Sequence, residues 1–168
     1  MAEGIVIRPA HPQELPTVED LVITAYQEFR PFFPDKVWHA WIANIRKVIF
    51  DEAGVLLVAA DAQAVLHGVV KFYPDAGQAA LGKWPPGVAS MRILAVHPRS
   101  RGKGYGTLLV GECVRRAREA GVSAIYLYTG PFMVAARHIY EKLGFTRVPE
   151  FDRDPGPIAY RLELQRTS

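Results

Sequence analysis

The sequence predicts an α/β fold: a mixed, mostly antiparallel central sheet of about seven strands with helices on both faces. Three observations lead there. Short runs rich in β-branched and aromatic residues recur along the whole chain. Segments between them repeat apolar residues at helical spacing. Their order is strand, two helices, hairpin, then strand, helix, strand, helix, strand, strand, which suits a sheet covered on both sides.

GIVIRPA, residues 4–10, reads as the first strand, and Pro12 with Thr17 precedes a helical segment running to about Tyr26. A second helix follows Pro34, over residues 35–49. VLLVAAD and AVLHGVVKFYP are separated by a polar turn near Asp61, which predicts an antiparallel hairpin. Residues 75–88 carry Gly77, Gly82, Pro85, Pro86 and Gly87 and read as a loop. A strand over residues 90–96 comes next. From Gly104 to about Ala120 a helix is expected, with Leu109, Val110, Cys113, Val114 and Ala117 on one arc and Glu112, Arg115, Arg116 and Glu119 on the other. Gly121 is its natural stop. AIYLYT is a strand, residues 132–143 a helix ended by Gly144, and short strands near 145–148 and 158–164 close the chain.

The chain has 168 residues, which fits one domain over 1–168 that hides roughly 70% of its unfolded surface. No apolar run approaches the ~20 residues of a membrane span, and the N-terminal MAEGIVIRPA lacks a secretory core, so a cytoplasmic location without membrane contact is expected. Cys113 is the single cysteine, which excludes an internal disulfide and a cysteine-rich zinc cluster. No histidine pair has metal-ligand spacing, and no metal is expected. The net charge of +3 is mild and the cations are interspersed with acids, which argues against nucleic acid as partner.

The cations matter through position. Arg99 to Gly106 holds three glycines and three cations immediately before a helix. A glycine turn feeding a helix start presents unpartnered backbone N–H groups with the positive end of the helix dipole behind them, a cradle for phosphate. Gly102, Gly104 and Gly106 let the backbone approach a ligand closely. The dinucleotide pattern G-x-G-x-x-G fails because Thr107 stands at its third glycine, and no glycine-lysine-hydroxyl triplet forms a Walker loop.

What remains is R-x-x-G-x-G, Arg101-Gly102-Lys103-Gly104-Tyr105-Gly106, after the run Ile93-Leu94-Ala95-Val96. It closely resembles the acetyl-coenzyme A signature of the GNAT superfamily of N-acetyltransferases. The downstream segment AARHIYEKLGF resembles that family's tyrosine-bearing helix ending in L-G-F. The resemblance implies acetyl-CoA as cosubstrate, with the backbone of Arg101 to Thr107, including Gly102, Lys103, Gly104, Tyr105 and Gly106, around its pyrophosphate. It further implies that the main chain of Leu94, Ala95 and Val96 pairs with the pantetheine arm where that strand splays from AIYLYT. Met133 and Ala136, on the tyrosine helix, belong to the same expected contact.

The same resemblance casts Tyr140 as the group that meets the departing thiolate, and places a main-chain N–H of Val96 or Leu94 at the oxyanion. Many relatives carry a glutamate base six residues before the final valine of the strand; here that position is Ser90. Serine is no base unaided. It could hold a water that relays a proton to Glu28, Asp75 or His39, or the amine could arrive neutral. Met133 stands where relatives often have asparagine. The acceptor, a small-molecule or peptide amine, is expected against the first two helices, the Phe72–Tyr73 strand end and the loop through Trp84. The expected activity is N-acetyl transfer to a primary amine by direct attack in a ternary complex; the alternative is a non-catalytic acyl-CoA-binding module. A monomer or homodimer fits either reading.

Overall fold

The structure, a computed structural model, describes residues 4–164. Seven strands form one sheet in the order β1-β2-β3-β4-β5-β7-β6. They are β1 (Val6–Pro9), β2 (Val55–Ala60), β3 (Leu66–Tyr73), β4 (Ala89–Val96), β5 (Ala124–Thr129), β6 (Thr146–Arg147) and β7 (Ile158–Glu163). Every neighbouring pair is antiparallel except β4 with β5, so the mixed, mostly antiparallel sheet expected from the sequence is the one observed. The final strand β7 inserts between β5 and β6.

The helices are α1 (Leu15–Tyr26), α2 (Asp35–Phe50), α3 (Tyr105–Glu119) and α4 (Val134–Lys142). The last begins two residues later than its apolar pattern suggests. Two short segments read as loop or turn, Gln27–Phe32 and Ala76–Ala79, are 3-10 helices, in keeping with their Pro31 and the Asp75 side chain that caps Gly77 N–H.

Side-chain alternation along the strands sorts the core into two layers. Leu57, Val70, Phe72, Met91, Ile125 and Leu127 pack with Leu109, Val110 and Cys113 of α3. Leu56, Val58, Val69 and Ala95 pack with Val18, Val22, Ile42 and Ile45 of α1 and α2. The arc anticipated for α3 is buried, while Glu112 on its outer side is gripped by Arg115 and Arg116. At the end of α2, Lys71 lies buried on β3 and its Nζ donates to the carbonyls of Val48 and Asp51 at 2.9 and 2.7 Å. These are carbonyls that a helix end leaves unpaired, and the lysine closes them from the sheet.

One irregularity positions everything that follows. Opposite Val70 on β3 the facing strand has two residues, Ile93 and Leu94, because Val69 pairs with Ala95 and Lys71 with Arg92. This β-bulge holds Ile93 at φ +55°, a conformation a β-branched residue adopts only when its surroundings impose it. It reverses the alternation of β4. Met91 faces α3, and beyond the bulge Leu94 and Val96 face that side while Ala95 faces α1.

Candidate active site

Strands β4 and β5 pair only at Ala89 with Ile125 and Ser90 with Tyr126, then separate. The splay expected before the glycine turn is therefore present, and the bulge that bends β4 accounts for it. His97 N–H donates to His67 C=O, which fixes the ladder parity and puts Ala95 in the hydrogen-bonded register with Val69. The main-chain groups of Leu94 and Val96 consequently point into the gap. Leu94 C=O accepts the Tyr26 hydroxyl there at 2.7 Å.

A cavity of about 700 Å³ runs through this gap. Its walls include Ala25 and Tyr26 of α1 on one side of the sheet, and Gly106, Thr107, Met133, Ala136 and Ile139 of α3 and α4 on the other. Leu94, Ala95, Val96, Arg101, Gly102, Gly104 and Tyr105 complete the expected set that reaches it. Lys103, Ser90 and Tyr140 are not among its lining residues.

The glycine turn has the form of an anion cradle. Gly102 and Gly104 sit at φ +78° and +85°, and a Cβ at either would meet nothing within 4 Å. Backbone conformation, not crowding, selects glycine at both. Gly104 is the N-cap of α3 and has no side chain to cap it, so the first-turn N–H groups are free for a ligand. Gly106 is different: it lies in the helix, where a Cβ would come within 2.7 Å of Ile139 Cδ1. It permits α3 to approach α4. Tyr105 contributes main chain only, its ring being buried against His67 at 5.1 Å. His67 in turn bridges Asp61 and Ser100, a structural role.

Arg101 crosses the cavity mouth. Its guanidinium meets Glu28 at 2.6 Å and donates to Ala25 C=O at 3.2 Å. Both members of the ion pair are nearly half exposed, so the contact is weakly held and open to exchange. Of the acids and histidine considered as proton relays, Glu28 lines the cavity, whereas Asp75 is a turn cap and His39 lies exposed on α2.

Tyr140 is buried on α4, its ring 5.7 Å from that of Phe145 and 5.9 Å from that of Tyr160. Burial first, then the neighbouring Tyr26, Cys113 and Tyr160, push its phenol well above the ordinary range. Burial does the same to Tyr26 and to Cys113. All three hold their protons at neutral pH. Ser90 is buried in the row Tyr73–Ser90–Tyr126 across β3, β4 and β5. Met133 takes the N-cap position of α4 without a side-chain cap, and its Sδ receives the Thr129 hydroxyl at 3.4 Å.

Sequence reasoning placed Tyr26 only among the aromatics crowding the expected acceptor side and gave it no role at the strand edge. Its only local signal is membership of an aromatic run, and its hydroxyl meets a strand that lies 68 positions away.

An open mixed sheet with two splayed strands, a cavity in the gap between them and a glycine-capped helix start is an architecture shared with known acetyltransferases. The family model for the Acetyltransferase (GNAT) family matches residues 15–145, and the chain belongs to that family. An uncharacterized N-acetyltransferase of Schizosaccharomyces pombe is 29% identical over 157 residues, covering 92% of this chain and 91% of its own. A mycothiol acetyltransferase of Cellulomonas flavigena is 32% identical over 98 residues, which cover 58% of this chain and 28% of that protein. Among solved structures, the PaiA N-acetyltransferase of Thermoplasma acidophilum in complex with coenzyme A superposes with TM-score 0.75 at 17% identity, over 95% of this chain and 99% of the other. A GNAT-family acetyltransferase of Brucella melitensis in complex with acetyl-CoA gives TM-score 0.64 at 18% identity, over 96% and 88% of the two chains.

Proposed function

We propose that this chain transfers an acetyl group from acetyl-CoA to a primary amine by direct attack within a ternary complex. The observation that carries the reading is the cavity through the β4–β5 gap, walled by the glycine turn, by the main-chain edge of Leu94 and Val96 that β5 leaves unpaired, and by α4. The neighbouring complexes with coenzyme A and acetyl-CoA support the choice of cosubstrate.

The residues fit that group. The N–H groups from Gly102 to Thr107 hold a diphosphate, the Arg101 N–H being turned to Pro98 C=O, with the space above Gly102 and Gly104 left for it. Leu94 and Val96 bond the amides of the pantetheine arm as an added strand would, and Met133, Ala136 and Ile139 give it an apolar wall. A main-chain N–H at the bulge, Leu94 or Val96, faces the developing oxyanion. The N–C bond forms first to give the tetrahedral oxyanion, the C–S bond breaks as it collapses, and the proton that leaves the nitrogen is passed back through water to the departing sulfur. Tyr140 keeps its proton at neutral pH; it lies behind the lining residues Ala136 and Ile139, so its hydrogen bond to the departing sulfur forms only where the entering cosubstrate reaches past them. Cys113 is sealed in the core with its thiol pushed up by burial, so it offers no nucleophile for a covalent acyl-enzyme. Ser90 has no route to act as base, and Glu28 is the carboxylate lining the cavity; it accepts the proton through water once Arg101 turns toward the diphosphate.

The test is thiol release from acetyl-CoA in the presence of an amine panel, with calorimetry of coenzyme A alongside. Amine-dependent thiol release supports the transferase. Binding without release for every amine identifies a non-catalytic acyl-CoA-binding module, the reading favoured by the absence of a glutamate at Ser90. No binding at all removes both.

A further inference from the structure

Arg92 lies on β4, opposite Lys71 and immediately before the bulge, on the sheet face covered by α1 and α2. It is partly buried, and its Nη1 donates to Ala79 C=O at 3.2 Å. The hydroxyls of Tyr73 and Tyr26 both feel its charge. Lys71, next to it on β3, is a second cation, spent on the end of α2. Asp51 acts on Lys71 and Tyr73 and forms no ion pair with Arg92; among the described residues no carboxylate does. A guanidinium has five donors in a planar fork, and burying it without an anion is unfavourable. Partly buried Arg8 and Arg116 each hold a carboxylate within 3 Å, whereas Arg92, equally partly buried, pairs with none among the described residues.

The position is what gives the unpaired charge a use. Cofactor-contacting α3 and α4 occupy the opposite face of the sheet, so an amine reaches the gap from the Arg92 side. Tyr26 links the two, lining the cavity while lying within the field of Arg92. Resting on the acetyltransferase reading above, we infer that Arg92 is a specificity residue that receives a carboxylate carried by the acceptor amine, so that the substrate class is amino-acid-like amines rather than simple alkylamines. The fork geometry suits a carboxylate held by two parallel hydrogen bonds, which lysine cannot reproduce.

The experiment compares α-amino acids with their carboxamides as acceptors, in wild type and in Arg92→Gln and Arg92→Lys. Wild type is expected to favour the carboxylates in kcat/KM by about tenfold or more, and Arg92→Gln to collapse that preference toward parity, with Arg92→Lys between. Comparing the ratio across variants cancels the differing basicity of the two amines. Equal use of both classes by wild type, or an equal loss on both in Arg92→Gln, overturns the anion subsite while leaving the transferase reading intact. Coenzyme A binding without turnover of any amine overturns the transferase reading instead. In that case calorimetry of N-acetyl amino acids against the coenzyme A complex decides the subsite alone: binding that is lost in Arg92→Gln sustains it, and no binding removes it.

Discussion

The Tyr26 hydroxyl donates to the Leu94 carbonyl at 2.7 Å, tying the last residue of α1 to the bulged strand where it leaves its neighbour. The bond joins elements 68 positions apart in the chain and fixes the strand edge that is to receive the pantetheine arm. Tyr26→Phe keeps the ring, which stacks on Trp41 at 5.1 Å, and removes only the hydroxyl. The expected loss is about 1 kcal/mol in urea unfolding, or ~3 °C in Tm, because one net hydrogen bond disappears and a carbonyl is left facing the cavity. A rise of about threefold or more in KM for acetyl-CoA should accompany it if the strand edge needs that anchor.

Gly104 and Gly106 separate two reasons for glycine. Gly104→Ala forces a side chain onto φ +85° in open space, so the expected cost to stability is about 1 kcal/mol. Coenzyme A affinity should fall by about tenfold or more, since the Cβ enters the space above the first-turn N–H groups. Gly106→Ala adds no backbone strain but drives a methyl to within 2.7 Å of Ile139 Cδ1. The Ile139 side-chain tip can turn away into the cavity and alanine favours the helix, so a net change within about 1 kcal/mol is expected, with a smaller effect on affinity. Thermal unfolding and calorimetry on the two variants check the contrast.

How much of this was legible beforehand follows from where the information lies. The buried arc of α3, the hairpin of β2 and β3, and the glycine turn are local patterns, and all are found at their expected positions. The bulge at Ile93 was not legible: nothing in Arg92-Ile93-Leu94 marks a left-handed residue, and the extra residue shows only in the register against β3. The same holds for Tyr26 and for Lys71, whose partners lie far away in sequence. The insertion of β7 between β5 and β6 is likewise a property of long-range pairing.

Glu14 supplies a pH-dependent element remote from the site. Its carboxylate accepts two hydrogen bonds from Arg8, at 2.8 and 3.0 Å, and one from His11 N–H at 2.8 Å. The hydrogen bond from Arg8 leads, opposed by burial, and the net effect lowers its pKa from 4.5 to about 2. A carboxylate with a lowered folded pKa stabilises fully above the unfolded value and loses that contribution as pH falls through the folded one. Glu14→Gln should therefore be less stable than wild type by about 2 kcal/mol near neutrality, the gap closing as pH drops from about 4.5 toward 2. A constant gap across that window, measured by urea unfolding, contradicts the assignment.

Lys71 tests the closure of α2. Lys71→Met keeps most of the volume and strips the donors from Val48 and Asp51 carbonyls, leaving one buried helix end without partners. The expected loss is about 2–3 kcal/mol, partly offset because the ammonium no longer has to be desolvated. Hydrogen exchange should show the increase in opening confined to the last turn of α2, with α3 and the glycine turn unaffected.

Tyr140 distinguishes packing from chemistry. Its ring lies among Phe145 and Tyr160, and its hydroxyl has no hydrogen-bond partner among the described residues. Tyr140→Phe leaves the ring contacts in place, so Tm should stay within about 2 °C of wild type. A purely structural residue would then leave turnover unchanged as well. A phenol that serves the departing sulfur predicts instead that kcat falls by about 10–100-fold while coenzyme A affinity changes by less than about threefold. The pH profile carries an independent signature. Burial holds this phenol protonated well past neutrality, so wild-type kcat should show no decline up to about pH 9 from loss of its proton. A wild-type alkaline limb below that pH that vanishes in Tyr140→Phe would place the titrating phenol in a far more solvated setting than the core described here.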